Sequence, residues 1–595
     1  MNHSSPSSHS ANVGWDYQQM VKCGRKLTAN TGNLPVVRIA LLGDNSAQQL
    51  VNVLKASVLG QGFYPEIYDA GIDALASEVL DEDSGLHAFK PQYVWLNLCS
   101  QAYRERFYHI SSKAKETLPL NYATEIGSLV DALAERGYRV ILNLLALPLE
   151  RFFGNYSPRT LQSLQASVTE VNRLLVEKSQ RSPQCHLNDV GYLAARSGLE
   201  GWYDERLWAH SKYLCSPRCF PLLTESVAAI VRVTRGRLVK CLVLDLDNTL
   251  WGGVIGDDGL DGIELGGIGF GESFERFQRY LLQLKNRGLI LAVCSKNDEA
   301  VARQPFQKHS GMVLKEEDIA VFVANWNAKS GNIEQIAKVL NIGLDAMVFV
   351  DDSVFERNEV RQALPMVAVP EMPEDPADFP AFLEAGGYFE TVTFSEDDQN
   401  RAKMYREEAQ RTTLQVGAKN IHEYLASLEM KITCRPFDSQ HLARIAQLLQ
   451  RSNQFNLRTQ RFSEGQCLEF MAHPERNPSF YIKLRDKVGD YGLISVVCAQ
   501  PVGNRLEILE YVMSCRVLNR GVEQFTMTFL VNYCKAHGLA TIRGEYIPTE
   551  KNKMVSKFYE QFGFRQSSAT EARSVWELAV AEYAPPKFFI QNEEI

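Results

Sequence analysis

Two stretches of the chain alternate short apolar runs with amphipathic segments, and a third does not. From Val36 the run VVRIALLGD ends in Gly43 and Asp44, and apolar-periodic residues follow through Leu59. That order predicts a strand, a tight turn and a helix. QYVWLNLCS (92–100) and RVILNLLAL (139–147) read as further buried strands, the second after a helical segment ending near Gly137. Strands spaced by helices predict a parallel sheet covered on its faces, here over about 36–222. The pattern restarts at Leu238. KCLVLDLDNTL, GLILAVCSKN, IAVFVANWN and DAMVFVDDS are short strands with polar ends. Helical spacing separates them, over 272–287, around 299–309 and before the last strand. This second α/β unit spans about 223–400.

After a helical stretch at 401–428 the text changes. SFYIKLRDKVGDYGLISVVCAQ, LEILEYVMS and TIRGEYI are strands in antiparallel style, mixed with helices, and FYEQFGF follows. They predict an α+β domain over about 429–583. Residues 1–35 read as a flexible arm with a short amphipathic lead, and 584–595 as a loose tail. No internal repeat is visible.

Length and charge narrow the classes. A chain of 595 residues predicts about three or four domains. The net charge is -8, with no long basic tract, so nucleic-acid binding has no compositional support. No run approaches about 20 apolar residues, so no membrane span is expected. The opening residues lack the features of a signal peptide, and the expected compartment is the cytoplasm. Twelve cysteines spread over this length do not form a disulfide scaffold. Cys215 and Cys219 are close, but nothing completes a zinc pattern, and they read as ordinary packing.

The chemistry concentrates at strand ends. Asp245 and Asp247 sit two apart where KCLVLDLDNTL leaves its strand. The carboxyl edge of an open α/β sheet is where ligands bind. One carboxylate there can attack phosphorus and the other can protonate the leaving oxygen. Ser295 follows the next strand and can donate to a phosphoryl oxygen. Lys329 can neutralise developing charge. Asp351 and Asp352 end the strand AMVFV and can complete a site for a hard divalent cation.

Asp-x-Asp-x-Thr at 245–249, Ser295, Lys329 and the pair Asp351/Asp352 together resemble the haloacid dehalogenase superfamily, and imply its Rossmann-like core. The resemblance implies that Asp245 is the nucleophile, Asp247 the acid/base and Thr249 a support for the loop. It also implies that Mg2+ is held by the Asp351 and Asp352 carboxylates, by Asp245 and by the backbone carbonyl of Asp247. Ser295, Asn297, Thr249 and Lys329 would contact phosphate or substrate. Gly252, Gly253 and Gly256, with Trp251, would form a flap. Trp326 and Asn327 stand beside the Lys329 loop and can line the pocket.

Longer stretches carry a closer resemblance. WGGVIGDDG, LAVCSKN, FVANWNAKSGNI, LNIGLDAMVFVDDSVFERNEVR and SNQFNLRTQRF look like FkbH-like proteins, in subfamily IIIC of that superfamily. The resemblance implies a glyceryl transferase/phosphatase of polyketide or hybrid polyketide–peptide pathways. Such an enzyme takes a small phosphorylated three-carbon acid, 1,3-bisphosphoglycerate, removes phosphate and loads glyceryl onto an acyl carrier protein through its phosphopantetheine arm. An acyl-accepting thiol is then expected. Cys294 is the candidate, activated by Lys296 or Lys329, with Cys241 a weaker one. A plain Mg2+-dependent phosphatase and a non-catalytic scaffold are the competing readings.

The flanking regions carry fainter resemblances. RIALLGDNS resembles the SGNH hydrolase turn, but Asn45 separates Asp44 from Ser46. Asn97, Asp204 and His210 are the later candidates, and Leu207 stands where that fold's histidine is expected. Docking or structural support is the preferred reading. The C-terminal domain resembles the Gcn5-related acetyltransferase fold. Arg516, Asn519 and Gly521 there would receive a pyrophosphate or pantetheine arm, although Asn519 replaces a glycine. Glu507 and Glu510 are base candidates by location.

Overall fold

The computed structural model describes residues 16–27, 34–394, 401–452, 455–460, 462–549, 552–570 and 572–593. The chain divides into two compact units, Met1–Ala402 and Lys403–Ile595.

The first unit holds two parallel sheets. The N-terminal sheet contains β1 (Val36–Gly43), β2 (Tyr64–Ile72), β3 (Tyr93–Asn97), β4 (Arg139–Asn143) and β5 (Cys185–Asn188), in the order β2-β1-β3-β4-β5. All its pairings are parallel. The apolar runs of β1, β3 and β4 are buried almost throughout, as expected for strands covered on both faces. β2 and β5 are not evident in the sequence. β2 is an edge strand with mixed exposure, and β5 has only four residues.

The second sheet contains β6 (Cys241–Leu244), β7 (Ile290–Ser295), β8 (Ile319–Ala324) and β9 (Met347–Val350), in the order β8-β7-β6-β9 and again parallel. Every residue of β6, β7 and β9 is buried. The order places β6 centrally, so Asp245 leaves the sheet between the ends of β7 and β9. The helix expected around 299–309 is two short helices, Glu299–Ala302 and Gln304–Lys308. Pro305 stands at the start of the second, where its missing N–H costs nothing.

The second unit is a mixed sheet: β10 (Met430–Pro436), β11 (Phe455–Asn456), β12 (Ser479–Arg485), β13 (Asp490–Val502), β14 (Arg505–Met513), β15 (Thr541–Tyr546), β16 (Arg565–Ala569), β17 (Ser574–Ala579) and β18 (Ile590–Asn592). β14 and β15 pair only from Arg505/Thr541 to Glu507/Arg543 and then diverge. β11 pairs with the far end of β14, and the Ile547 N–H donates to the Leu457 carbonyl at 2.9 Å. The chain's own segment therefore fills the splay.

Two terminal expectations need correction. Tyr17–Lys26, inside the expected flexible arm, is a helix closed by an Asp16–Gln19 capping box, with Met20 and Val21 buried in the N-terminal core. The rest of that arm, apart from residues 16, 27, 34 and 35, lies outside the described residues. Residues 590–592 of the expected loose tail form β18, parallel to β10. Both segments are fixed by partners distant in sequence, which a local reading does not reveal. Among the described residues, no helix is long and apolar enough to cross a membrane.

Candidate active site

β6 delivers Asp245, whose N–H continues the ladder by donating to the Val350 carbonyl at 3.0 Å. β9 delivers Asp351 on the neighbouring strand. Lys329 opens the helix Lys329–Leu340 and reaches both acids. Its Nζ lies 3.0 Å from Asp245 Oδ1 and 2.6 Å from Asp351 Oδ2. Lys329, Asp245 and Asp351 are almost wholly buried, whereas Asp352 is exposed. Burial alone would push the Lys329 ammonium down, but the two carboxylates override it and hold the group above its usual range.

One lysine does not balance this acidic cluster. Asp245, Asp351 and Asp352 each place an oxygen within 4.8 Å of the others. Oδ1 of Asp245 is sealed from solvent and has no aligned hydrogen bond. Burial, and then the Asp245 charge, push Asp351 up against the pull of Lys329. Asp352 moves the same way from the same causes. Three hard oxygen donors with uncompensated charge fit a divalent cation of the Mg2+ or Ca2+ kind.

Asp247 is held differently. Its Oδ1 accepts from Trp251 Nε1 at 2.9 Å and from the Ile255 N–H at 3.0 Å. Its Oδ2 accepts from Asn297 Nδ2 at 2.7 Å. Asn297, expected to contact substrate, therefore orients Asp247 in this structure. Trp251, expected in a flap, is fully buried and packs edge-on against Phe306. Gly252 and Glu264 exchange backbone hydrogen bonds of 3.0 and 2.9 Å. Between them Gly253 stands at φ 88°, and its N–H donates to Oδ1 of Asn248, which precedes the pair and itself stands at φ 51°. Ser295 and Thr249 are buried beside these groups, and Thr249 Oγ1 has no hydrogen-bond partner among the described residues.

Cys294 comes to the same place but not in the expected state. It is fully buried, and its Sγ donates to the Lys329 carbonyl at 3.7 Å. Burial pushes the thiol up to about 12; Lys329 opposes this, and Asp245, Asp351 and Glu356 add to it. The expected lowering by neighbouring lysines is thus reversed. Lys296 is committed to Glu356 at 2.7 Å. Cys241 is fully buried as well. Trp326 is 76% exposed, and the Asn327 N–H is held by Asn325 Oδ1 at 3.0 Å.

Arg357 was not evident in the sequence. It is buried, and its guanidinium donates to the carbonyls of Asp351 at 2.8 Å and Asp352 at 2.6 Å. It also pairs with Glu371 at 3.0 Å. It fixes the turn that carries the acidic pair. Its only sequence signal is the placement of DDSVFER after a strand.

The flanking candidates assemble no comparable site. Asn45 and Asn97 bond one another at 2.9 Å, and the chain continues through Asn143 to Asn188 at 2.9 Å per link, all buried. Asp44 accepts the Cys99 N–H at 3.1 Å. The Ser46 N–H donates to the Lys212 carbonyl. Asp204 caps the helix Glu205–Ser211, and His210 is exposed. In the second unit, Arg516 contacts Ser514 and Met404. The Asn519 N–H, which would face an anion, donates instead to Glu523 Oε1 at 3.1 Å. Gly521, at φ 96°, has Phe588 only 3.3 Å from where a Cβ would stand. The Glu523 carboxylate thus takes the Asn519 N–H that was expected to face a pyrophosphate or pantetheine arm. Glu507 pairs with Arg505 and Arg543. Glu510 is buried, accepts the Arg458 and Gln460 N–H groups, and is pushed up to about 7 by burial.

A parallel sheet with an acidic pair after its central strand, a buried lysine and a second acidic pair defines a haloacid dehalogenase-like phosphatase region. Residues 38–232 match the family model described as FkbH, N-terminal domain. The crystal structure of the N-terminal part of BF1531 from Bacteroides fragilis, containing a phosphatase domain complexed with Mg, is 35% identical to this chain. It covers 64% of this chain and 100% of its own, with a TM-score of 0.60. The chain belongs to the family of that phosphatase-domain protein. The ribosomal-protein-S18-alanine N-acetyltransferase of Escherichia coli matches at 15% identity, over 25% of this chain and 94% of its own, with a TM-score of 0.20. The PaiA N-acetyltransferase of Thermoplasma acidophilum, in complex with coenzyme A, matches at 12%, over 25% and 99%, also with a TM-score of 0.20. Scores this low define no activity. No curated protein matches the chain.

Proposed function

We propose that residues 239–360 form the catalytic core of a Mg2+-dependent phosphatase for a small phosphorylated metabolite. The observation that carries this reading is the buried Lys329 ammonium shared by Asp245 and Asp351. Asp245, Asp351 and Asp352, with the backbone carbonyl of Asp247, would hold Mg2+, the ion bound in the Bacteroides fragilis relative. When bound, the ion screens the anionic nucleophile from the anionic substrate. A carboxylate oxygen of Asp245 forms the new bond to phosphorus while the bond to the leaving oxygen breaks. Asp247 supplies the proton to that oxygen. Water then attacks the aspartyl phosphate, Asp247 takes its proton, and phosphate leaves with Asp245 restored. Lys329, Ser295 and Thr249 hold the phosphoryl oxygens during both transfers. Phosphate release from a panel of phosphate esters and acyl phosphates, with Mg2+ and with EDTA, tests this. Release that continues unchanged in EDTA contradicts it.

The match of residues 38–232 to the FkbH N-terminal model favours a second reading. In it, the substrate is a three-carbon acyl phosphate such as 1,3-bisphosphoglycerate, and glyceryl passes to a carrier protein's phosphopantetheine thiol. Cys294 would take the acyl group first, which requires it to leave the Lys329 carbonyl and lose its proton. Intact mass measurement of both proteins after incubation with that substrate separates the readings. Glyceryl on the carrier supports transfer, and phosphate release with no adduct leaves the phosphatase alone.

A further inference from the structure

We infer that the first unit has a second small-molecule site, a cleft for an oxyanion at the opposite end of both parallel sheets. The cleft encloses about 380 Å³, and Arg139, His186, Thr234, Arg287 and Glu390 supply its polar wall. Arg139 opens β4 and His186 lies in β5. Val239 and Leu289, which also line the cleft, precede β6 and β7. The cleft therefore sits at the amino ends of these strands, whereas Asp245 and Asp351 follow carboxyl ends.

Among the described residues, the aligned hydrogen bonds of its two arginines go to neutral acceptors. Arg139 Nη1 donates to Tyr93 Oη at 3.1 Å, and Arg287 Nη2 to the Phe389 carbonyl at 2.6 Å. Among the described residues neither has a salt bridge. A guanidinium carries five donors, so most of each fork is left for a ligand. Tyr93 Oη is itself 2.8 Å from Thr234 Oγ1, which fixes the ring beneath Arg139. The His186 Nε2 is sealed from solvent without a partner, and burial, then Arg139, push the ring below its usual range. The opposing charge is Glu390, which accepts the Thr391 N–H at 2.9 Å; burial pushes its carboxyl up, against that hydrogen bond and the charges of Arg232 and Arg287. Two arginines against one carboxylate select phosphate or carboxylate groups, for which arginine's planar fork is suited. The volume admits a small metabolite.

The test is equilibrium binding of inorganic phosphate to the full chain in EDTA, which removes any metal-dependent contribution of the carboxylate crevice. Saturable binding in the millimolar range or tighter is expected. Arg139→Ala and Arg287→Ala, both at solvent-accessible positions, should each weaken it about tenfold, equivalent to about 1.4 kcal/mol. Glu390→Gln should tighten it. Succinate that displaces phosphate extends the site to carboxylates, and succinate that does not restricts it to phosphate. No saturable binding, or an affinity unchanged from the original protein in both arginine variants, overturns the inference. Because the readout is binding without metal, its failure leaves the phosphatase reading untouched.

Discussion

The Lys329 ammonium stands 3.0 Å from the Asp245 carboxylate and 2.6 Å from that of Asp351, with all three side chains almost wholly buried. Removing one partner of a buried ion pair leaves the other charge unpaired, at a cost of about 3–5 kcal/mol. Lys329→Met should therefore lower the melting temperature as well as activity, with phosphate release falling by about 10²-fold or more. Added Mg2+ should restore part of the stability, because it supplies the missing positive charge, but not the activity. A variant with unchanged melting and turnover would show that the bridge has no such role.

Asn297 acts on Asp247 through a 2.7 Å hydrogen bond. Asn297→Ala leaves Asp247 Oδ2 without that donor and loosens its aim. If Asp247 is the proton donor, kcat should fall by about tenfold or more while KM changes little, the pattern of an interaction made in the transition state. Leaving groups of low pKa, which need no proton, should be hydrolysed almost normally. An equal loss on all substrates would place Asn297 in substrate binding instead.

Cys294 is buried, and its thiol is pushed up to about 12. The thiolate is the reactive form, so iodoacetamide should leave Cys294 unmodified in the folded protein at pH 8 and alkylate it after denaturation. Cys294→Ala should keep phosphate release within a few-fold of the original. Under the glyceryl-transfer reading the same variant should lose loading of a carrier protein. Peptide mapping and intact mass read out both.

Asp44 gives the N-terminal sheet a pH dependence. Burial raises its carboxyl to about 6, against hydrogen bonds from Asn45 and Cys99 that lower it. The folded form thus binds a proton more readily than the unfolded chain. Its contribution to stability is present below the unfolded value near 3.8 and is lost as pH rises through about 6. Asp44→Asn should flatten the fall in melting temperature between those limits. An unchanged slope would show that Asp44 does not titrate there.

The strand ends were legible because buried parallel strands read as continuous apolar runs. A run ending in Asp245, Ser295 or Asp351 announces its polar edge. Lys329 opens a helix instead of ending a strand, and was legible only through the resemblance that the four motifs carry together. What the residues do to each other was not. The burial of Cys294 and of Trp251 and the Arg357 clamp under Asp351 depend on tertiary packing that no local pattern records. Tyr17–Lys26 and β18 were hidden because their partners lie far along the chain. Asn45 signalled a departure from a hydrolase turn, and the structure shows a buried asparagine chain instead. Glu523 lies just beyond Gly521, but only the folded loop reveals that its carboxylate takes the Asn519 N–H.

The central claim is that Asp245 carries the phosphoryl group. Incubating the protein with Mg2+ and a turned-over acyl phosphate, quenching in acid and mapping peptides by mass spectrometry tests it most directly. A phosphoryl adduct on Asp245, absent from Asp245→Asn together with phosphate release, is the predicted result. Undiminished phosphate release by Asp245→Asn, or an adduct on another residue, would contradict the account.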